Sequence, residues 1–162
     1  MTPNDVIAGG YRMTKALLHR MVDDLTPEEF RHQPAAGANS AAWVMGHLAV
    51  TLRRTAARLG ATDLPEVPDD VAARFTATRH PAADQAGLGD VARLMKVFDT
   101  CIDKVIEAVK AVSAEALAGP SASPVPLATN FAEGLLFGSL HVAVHTGQLS
   151  TIRRSLGKPP VV

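Results

Sequence analysis

Apolar residues recur at helical spacing in several segments of the chain, and each segment is bounded by ordinary helix signals. In the first segment, Thr2 offers a capping hydroxyl, Pro3 suits the first helical position, and apolar residues continue as far as Met21. The pattern predicts a helix of about five turns. Gly9 and Gly10 weaken its early part, because glycine disfavours helix interiors.

Five further helices are predicted from capping residues in front of apolar repeats and from glycine or proline behind them. Their approximate bounds are 27–33, 41–59, 70–77, 91–112 and 130–156. The clearest amphipathic pattern is that of 91–112, where apolar residues stand three and four positions apart. The proline-containing stretches 61–87 and 119–126 are predicted to be a surface excursion, holding the helix at 70–77, and a linker.

The four long helices predict an all-α fold of the four-helix-bundle class, with short extra helices in the loops. The composition agrees, because 47% of the residues are hydrophobic and only 4% are aromatic, which suits close-packed helices better than sheets. At 162 residues the chain is expected to form one domain over 1–162.

The charge balance disfavours one common class of partner. Sixteen basic and sixteen acidic side chains cancel to a formal net charge of zero, so the chain lacks the excess of basic charge expected of a nucleic-acid-binding protein. No apolar run reaches the roughly 18 residues of a membrane span, and the N-terminus lacks the features of an export signal. We therefore predict a cytoplasmic protein that binds neither nucleic acid nor membrane.

Cys101 is the single cysteine of the sequence and lies within an apolar helical repeat. It cannot form an internal disulfide, which fits a reducing cytoplasm. It is either a nucleophile or a small apolar core residue. The second interpretation is favoured, because buried free cysteine usually behaves as a hydrophobe.

Three histidines carry the candidate chemistry. His141 and His145 are one helical turn apart in the last helix, and His47 lies on a mostly apolar face of the second long helix. Buried imidazoles lose the hydration of their nitrogens, and either hydrogen bonds or a divalent cation would compensate for that loss. We therefore predict a metal site of His47, His141 and His145, which zinc, nickel, iron or manganese could occupy.

Other residues near these histidines allow two interpretations each. Trp43 and Gln148 share helix faces with the histidines, so they either line a ligand pocket or pack between helices. Arg54, two turns beyond His47, either meets an anionic substrate or remains solvated. The histidine pair itself could arise by chance. The remaining histidines lack a partner at ligand spacing and are predicted to be surface or loop residues: His19, His32 and His80.

The histidine face of the last helix also holds Gly134 and Gly138, which would leave room for a ligand or for a closely approaching helix. Glu133 lies off that face, so the sequence offers no obvious general base there. The Glu-x-x-His pairs of a di-iron bundle are absent as well. Any catalysis is therefore predicted to rely on the metal itself.

Two segments resemble the paired signatures of the DinB-like (damage-inducible) superfamily: NSAAWVMGHLA and HVAVHTGQLSTIRRSLG. The segment LTPEEFRHQPAAGANS is similar to its usual lead-in, whereas 61–87 adds nothing to the resemblance. The resemblance implies a four-helix bundle with up-down-down-up connections and a divalent metal held by three histidines. The histidines of the family correspond to His47, His141 and His145.

A homodimer is also implied by the resemblance. The outer arc of the last helix is mildly apolar and gives this expectation weak support; its residues are Leu136, Ser139 and Ala143. The superfamily includes thiol-dependent enzymes, among them bacillithiol transferases and mycothiol-dependent isomerases and transferases, and also members without a known activity. Membership therefore selects no substrate.

Three functional hypotheses follow. The first is a metal-dependent transferase or hydrolase of a small molecule, in which an open metal position would hold water or the thiolate of a low-molecular-weight thiol. The second is a noncatalytic metal-binding stress-response protein with a closed site. The third is a helical interaction module whose histidines are merely packed, and it predicts that the purified protein contains no metal.

Overall fold

A computed structural model describes residues 1–76, 86–121 and 127–161. Within these residues the regular structure is helical and no strand is present. The helices are α1 (Pro3–Val22), α2 (Pro27–Phe30), α3 (Ala41–Arg58), α4 (Asp69–Thr76), α5 (Val91–Ala111), α6 (Ala114–Ala118) and α7 (Phe131–Ser155), with a 3-10 turn at Ala86–Leu88. The all-α prediction is confirmed.

The long helices begin at the capping residues that the sequence offers. The Thr2 hydroxyl accepts a hydrogen bond from the Asp5 amide, and the Asp5 carboxylate accepts one from the Thr2 amide, which closes a capping box. The caps of α3, α5 and α7 are Ser40, Asp90 and Asn130. Helices α3 and α7 are followed by glycines with positive φ, 84° at Gly60 and 73° at Gly157, which is the conformation that ends helices.

Helices α1 and α5 are antiparallel. Near the start of α1, the Asn4 amide donates hydrogen bonds to the carbonyl oxygens of Val109 and Val112 at the end of α5, over 2.7 and 2.9 Å. Further along α1, the Lys15 ammonium lies 2.9 Å from the Asp103 carboxylate in the middle of α5. Later residues of α1 therefore meet earlier residues of α5.

Helix α7 runs parallel to α1. The Tyr11 hydroxyl donates a hydrogen bond to the Leu135 carbonyl oxygen over 2.9 Å. Ten residues further along α1, the Met21 carbonyl oxygen accepts one from Arg153 over 3.1 Å. Both sets of residue numbers increase together, so the two helices have the same direction.

Helices α3 and α7 are antiparallel. Asn39, just before α3, contacts Gln148 late in α7, whereas His47 in the middle of α3 contacts the earlier residue His141. Helices α3 and α5 therefore point opposite to α1 and α7. The bundle has up-down-down-up connections, as the family resemblance implies.

The core lies between the four long helices. The predicted apolar stripe of α5 is buried, including Leu94, Phe98 and Ile102. Cys101 is also fully buried, and burial raises the pKa of its thiol to about 11. A thiol in that state is protonated at neutral pH, which favours the core interpretation over the nucleophile. No helix in the described ranges combines the length and apolarity needed to cross a membrane.

One loop prediction needs correction, and one short helix was not predicted. The region 61–87 is not simply a surface excursion, because α4 packs on α3 and the side chain of Phe75 is fully buried. Helix α6 was not predicted; Ser113 caps it, but five residues are too few for a periodic pattern. Three predictions fall partly or wholly outside the described residues: the end of the helix at 70–77, the surface or loop position of His80, and the later part of the linker at 119–126.

Candidate metal centre

Helices α3 and α7 bring together the three histidines that the sequence singles out. The Nε2 atom of His141 lies 3.2 Å from Nε2 of His47 and 3.1 Å from Nε2 of His145. One candidate ligand atom from each ring lies within 4.8 Å of the other two. Among the described residues this is the one group of metal-ligating side chains that converges in this way.

The ring of His47 is held on two sides. Its Nδ1 atom lies 2.8 Å from the Phe75 carbonyl oxygen, which can only accept a hydrogen bond, so Nδ1 carries the proton. The ring also stacks on Trp43, with centroids 4.9 Å apart and planes within 7° of parallel. The unprotonated Nε2 is therefore directed at the centre.

The ring of His145 is held by an amide pair. Its Nδ1 lies 3.1 Å from the Gln148 side-chain oxygen, which also accepts a hydrogen bond from the Asn39 amide over 3.0 Å. Nδ1 thus donates, and Nε2 is left as a free acceptor. Gln148 thus orients the ring of His145. Trp43 is buried and packs against the ring of His47.

Sequence reasoning missed two of these supporting residues. Phe75 lies in a region without a recognisable motif, and the only local hint was Gly46, a glycine inside α3 directly before His47. Asn39 stands just before the predicted helix at 41–59, where the sequence offers it only as a candidate cap. The cap is Ser40, whose hydroxyl accepts a hydrogen bond from the Trp43 amide, and this leaves the Asn39 side chain to reach α7.

Burial lowers the pKa of all three imidazoles. The pKa of His141 falls to about 4, first through burial and then through the neighbouring His145 and His47. Burial is the largest cause for His145 and for His47 as well, and it outweighs the hydrogen bonds from their supporting groups. The rings are therefore neutral at neutral pH, which is the state in which imidazole binds a metal.

The donor set fits a divalent cation. The Nε2 lone pairs of His47 and His145 both face Nε2 of His141. The neutral ring of His141 carries a single N–H proton, so it can donate fully to only one of them. That leaves converging lone pairs without a hydrogen, which a cation would satisfy. Nitrogens bound tetrahedrally at roughly 2.1 Å would be about 3.4 Å apart, close to the observed 3.1 and 3.2 Å.

A cavity of about 310 Å³ adjoins the histidines and is lined by His141 itself. Its other lining residues are Tyr11, Thr51, Arg54, Thr55, Arg58, Leu59, Ser121, Phe131, Gly134, Leu135, Phe137 and Gly138. Trp43 and Gln148, for which lining a pocket was one of two interpretations, are not among these lining residues. A small molecule in this cavity would contact one histidine of the cluster directly.

Gly134 and Gly138, on the histidine face of α7, line the cavity and also leave space for side chains of neighbouring segments. A Cβ at Gly138 would lie 2.0 Å from the Tyr11 hydroxyl, and one at Gly134 would lie 2.6 Å from the Ser121 hydroxyl. The predicted close approach is therefore made by side chains. Tyr11 belongs to the parallel neighbour α1.

The other described histidines lie outside the cluster. His19 is not a surface or loop residue as predicted, because it is a partly buried residue of α1 that hydrogen-bonds Asp99 at 2.7 Å and Asp23 at 2.9 Å. His32 follows α2 and lies 2.9 Å from the Ser155 hydroxyl. Neither supplies a fourth nitrogen to the cluster.

Comparison with known proteins agrees with this architecture. A family model described as the DinB superfamily matches residues 11–149. One solved structure is described as "YfiT from Bacillus subtilis is a probable metal-dependent hydrolase with an unusual four-helix bundle topology". It aligns with a TM-score of 0.64 and 16% identity, over 96% of this chain and 89% of that chain, which shows a shared fold. No curated protein matches the sequence.

Proposed function

The chain belongs to the DinB superfamily, and from this premise we propose that His47, His141 and His145 bind a divalent metal that serves a small-molecule transferase or hydrolase. One observation carries the proposal: three neutral imidazoles converge, and one of them lines an open cavity. A structural site would be closed, whereas catalytic metal sites keep a position accessible to a ligand. The solved relative, a probable metal-dependent hydrolase by its description, points in the same direction.

The supporting contacts give each residue a role. The Phe75 carbonyl and the Asn39–Gln148 pair would hold His47 and His145 in the orientation that binding requires. When bound, a divalent cation supplies Lewis acidity to a small oxygen or sulfur ligand. The described residues lining the cavity include no carboxylate, so no aspartate or glutamate there is placed as a general base.

The transferase version uses a low-molecular-weight thiol as its nucleophile, and the hydrolase version uses water. Three imidazole nitrogens suit zinc, nickel, iron or manganese, since all four accept this ligand. The noncatalytic alternative predicts a blocked site, and the cavity beside His141 favours the open one. The interaction-module alternative predicts packed histidines without metal affinity.

Elemental analysis tests the metal site. We expect wild-type protein, purified without added metal or titrated with Zn²⁺, Ni²⁺, Fe²⁺ or Mn²⁺, to bind one of these ions stoichiometrically. His145→Ala should lose the ion, whereas His32→Ala, which removes a histidine outside the cluster, should keep it. A wild-type chain that binds none of the four would overturn the proposal.

Activity assays then distinguish the transferase from the hydrolase. The metal-loaded protein is tested with a panel of thiols against small electrophiles, and with a panel of esters and amides in the absence of thiol. Turnover that needs a thiol supports the transferase, and turnover without one supports the hydrolase. Either activity should disappear after chelation and return when the metal is restored. A correctly loaded protein without turnover on either panel supports the noncatalytic alternative.

A homodimer is proposed as well. The three large exposed apolar residues of α7 stand four positions apart and form one stripe: Leu136, Leu140 and Val144. Ser139, predicted for the same arc, is instead buried against Gly10 of α1. Sedimentation should give a dimer mass for wild type and a monomer mass for Leu140→Glu, because a charge in the middle of the stripe would oppose association. A cytoplasmic location remains a prediction of the sequence.

A further inference from the structure

We infer that the cavity beside His141 takes a small organic anion, whose charged group is held by Arg54 and whose apolar body lies against α7. This inference rests on the proposed function, because the cavity is a substrate site only if the histidine cluster is a reactive centre. It adds the chemical class of the substrate.

The cavity has two chemically different walls. Helix α3 contributes polar groups, namely Thr51, Arg54 and Thr55; Arg54 and Thr55 stand three and four positions after Thr51, on the same helix face. Helix α7 contributes apolar surface, including Phe131, Leu135 and Phe137. Small-molecule sites typically combine apolar walls with a few fixed polar groups that orient the ligand. These walls suit a ligand with one polar end and an apolar body.

The charge of the lining selects the sign of that polar end. Arg54 and Arg58 are the ionisable groups of fixed charge among the described lining residues, and both are cationic. Arg54 forms no ion pair with any described residue. Its neighbour Arg53 differs, because its guanidinium donates to the Pro65 carbonyl oxygen over 2.8 Å. Guanidinium groups bind carboxylate and phosphate groups in a bidentate manner, so an anion is the matching ligand.

The placement of Arg54 connects this anion site to the histidines. Arg54 follows His47 by seven residues on α3, a rise of about 10.5 Å along the helix axis. Arg54 and His141 line the same cavity, so a ligand bound to Arg54 can extend along it to His141. The volume of about 310 Å³ restricts it to a small molecule.

The inference is tested with a charged and an uncharged form of one probe. We use 3-phenylpropanoate and 3-phenylpropanamide, titrated calorimetrically into the full-length protein with and without metal. Wild type should bind the acid at least tenfold more tightly than the amide. Arg54→Gln should remove that preference, and Arg54→Lys should retain part of it, because lysine keeps the charge without the bidentate geometry.

Arg154→Gln is the matched control, since Arg154 is an exposed arginine in the last turn of α7 that does not line the cavity. It should bind both probes as wild type does. Equal affinity for the two probes, no binding of either, or an acid preference that survives Arg54→Gln would each overturn the inference.

The metal content of every sample is measured as well, so that failure of the anion site can be distinguished from failure of the proposed metal site. A chain that binds metal but shows no acid preference contradicts the anion site alone. A chain that shows the preference but binds no metal contradicts the proposed function and leaves the anion site standing.

Discussion

Gly46 leaves the space that the ring of Phe75 fills, since a Cβ built on Gly46 would lie 2.2 Å from Phe75 Cζ. The Phe75 side chain is fully buried there, and its carbonyl oxygen accepts the hydrogen bond from His47 Nδ1. Glycine inside a helix costs about 1 kcal/mol relative to alanine, and this close approach of α4 to α3 gives a physical reason for it. The packing of a loop helix thus orients a candidate metal ligand.

Gly46→Ala should destabilise the protein and weaken metal binding together. The added methyl would displace a buried aromatic ring, and such overpacking typically costs about 1–3 kcal/mol. The displacement would also move the carbonyl that orients His47. Urea unfolding and Zn²⁺ titration measure the two effects.

Gly147→Ala is the control for that substitution, because a Cβ at this exposed position of α7 would meet no described residue within 4 Å beyond its chain neighbours and the backbone of its own helix. It should raise stability by up to about 1 kcal/mol and leave metal affinity unchanged. If Gly46→Ala behaves in the same way, the Phe75 contact does not position the site.

Asn39→Ala should reduce metal affinity by up to about 10-fold, the low end of the roughly 10–100-fold range for loss of a direct partner of a ligand, because Asn39 acts on His145 through Gln148. The Asn39 amide holds the Gln148 side-chain oxygen, which accepts the hydrogen bond from His145 Nδ1. Loss of the Asn39 side chain therefore leaves the His145 ring freer to turn. Calorimetric Zn²⁺ titration measures the change. Asn4→Ala is the matched control: it removes the hydrogen bonds of Asn4 to Val109 and Val112 far from the cluster, and should lower stability without altering affinity.

The contacts of His19 with Asp23 at the end of α1 and with Asp99 of α5 should make stability depend on pH. Burial lowers the pKa of His19, but the hydrogen bonds to Asp99 and Asp23 outweigh it, and the net pKa is raised. The folded state therefore binds the proton more tightly than the unfolded state. This contribution is fully present below the unfolded pKa of about 6.5 and is lost as pH rises through the folded pKa.

Urea unfolding from pH 5 to pH 9 tests that sign. The difference in unfolding free energy between wild type and His19→Gln should be largest at the acidic end and should shrink as the pH rises. A difference that grows with pH would show that the two carboxylates do not favour the protonated ring.

Arg153→Gln should cost about 1–3 kcal/mol, because Arg153 is buried in α7 and links to the Asp24 carboxylate and the Met21 carbonyl oxygen. The cost stays below that of a fully buried pair, since the Asp24 side chain is 54% exposed and regains water. Chemical denaturation of this variant is compared with Arg154→Gln, an exposed change expected within about 0.5 kcal/mol of wild type. Equal stability of the two variants would contradict the role of the buried contact.

The sequence by itself determined where the long helices lie. Caps, apolar repeats and terminal glycines act within a few residues, so Ser40, Asp90 and Asn130 mark helix starts in the sequence and in the structure alike. The same short-range pattern placed His141 and His145 on one face of α7. It also indicated that His47 faces the interior.

The tertiary structure alone decided what surrounds those histidines. Phe75 supports His47 from 28 residues away, and Asn39 supports His145 through a residue 109 positions distant, so no periodicity links them. The position of Arg54 at a cavity, rather than only on a solvated face, likewise depends on how α3 and α7 pack. Local pattern sets the helices because their hydrogen bonds are local. The environment of the site depends on contacts between distant segments, which form only when the bundle has packed.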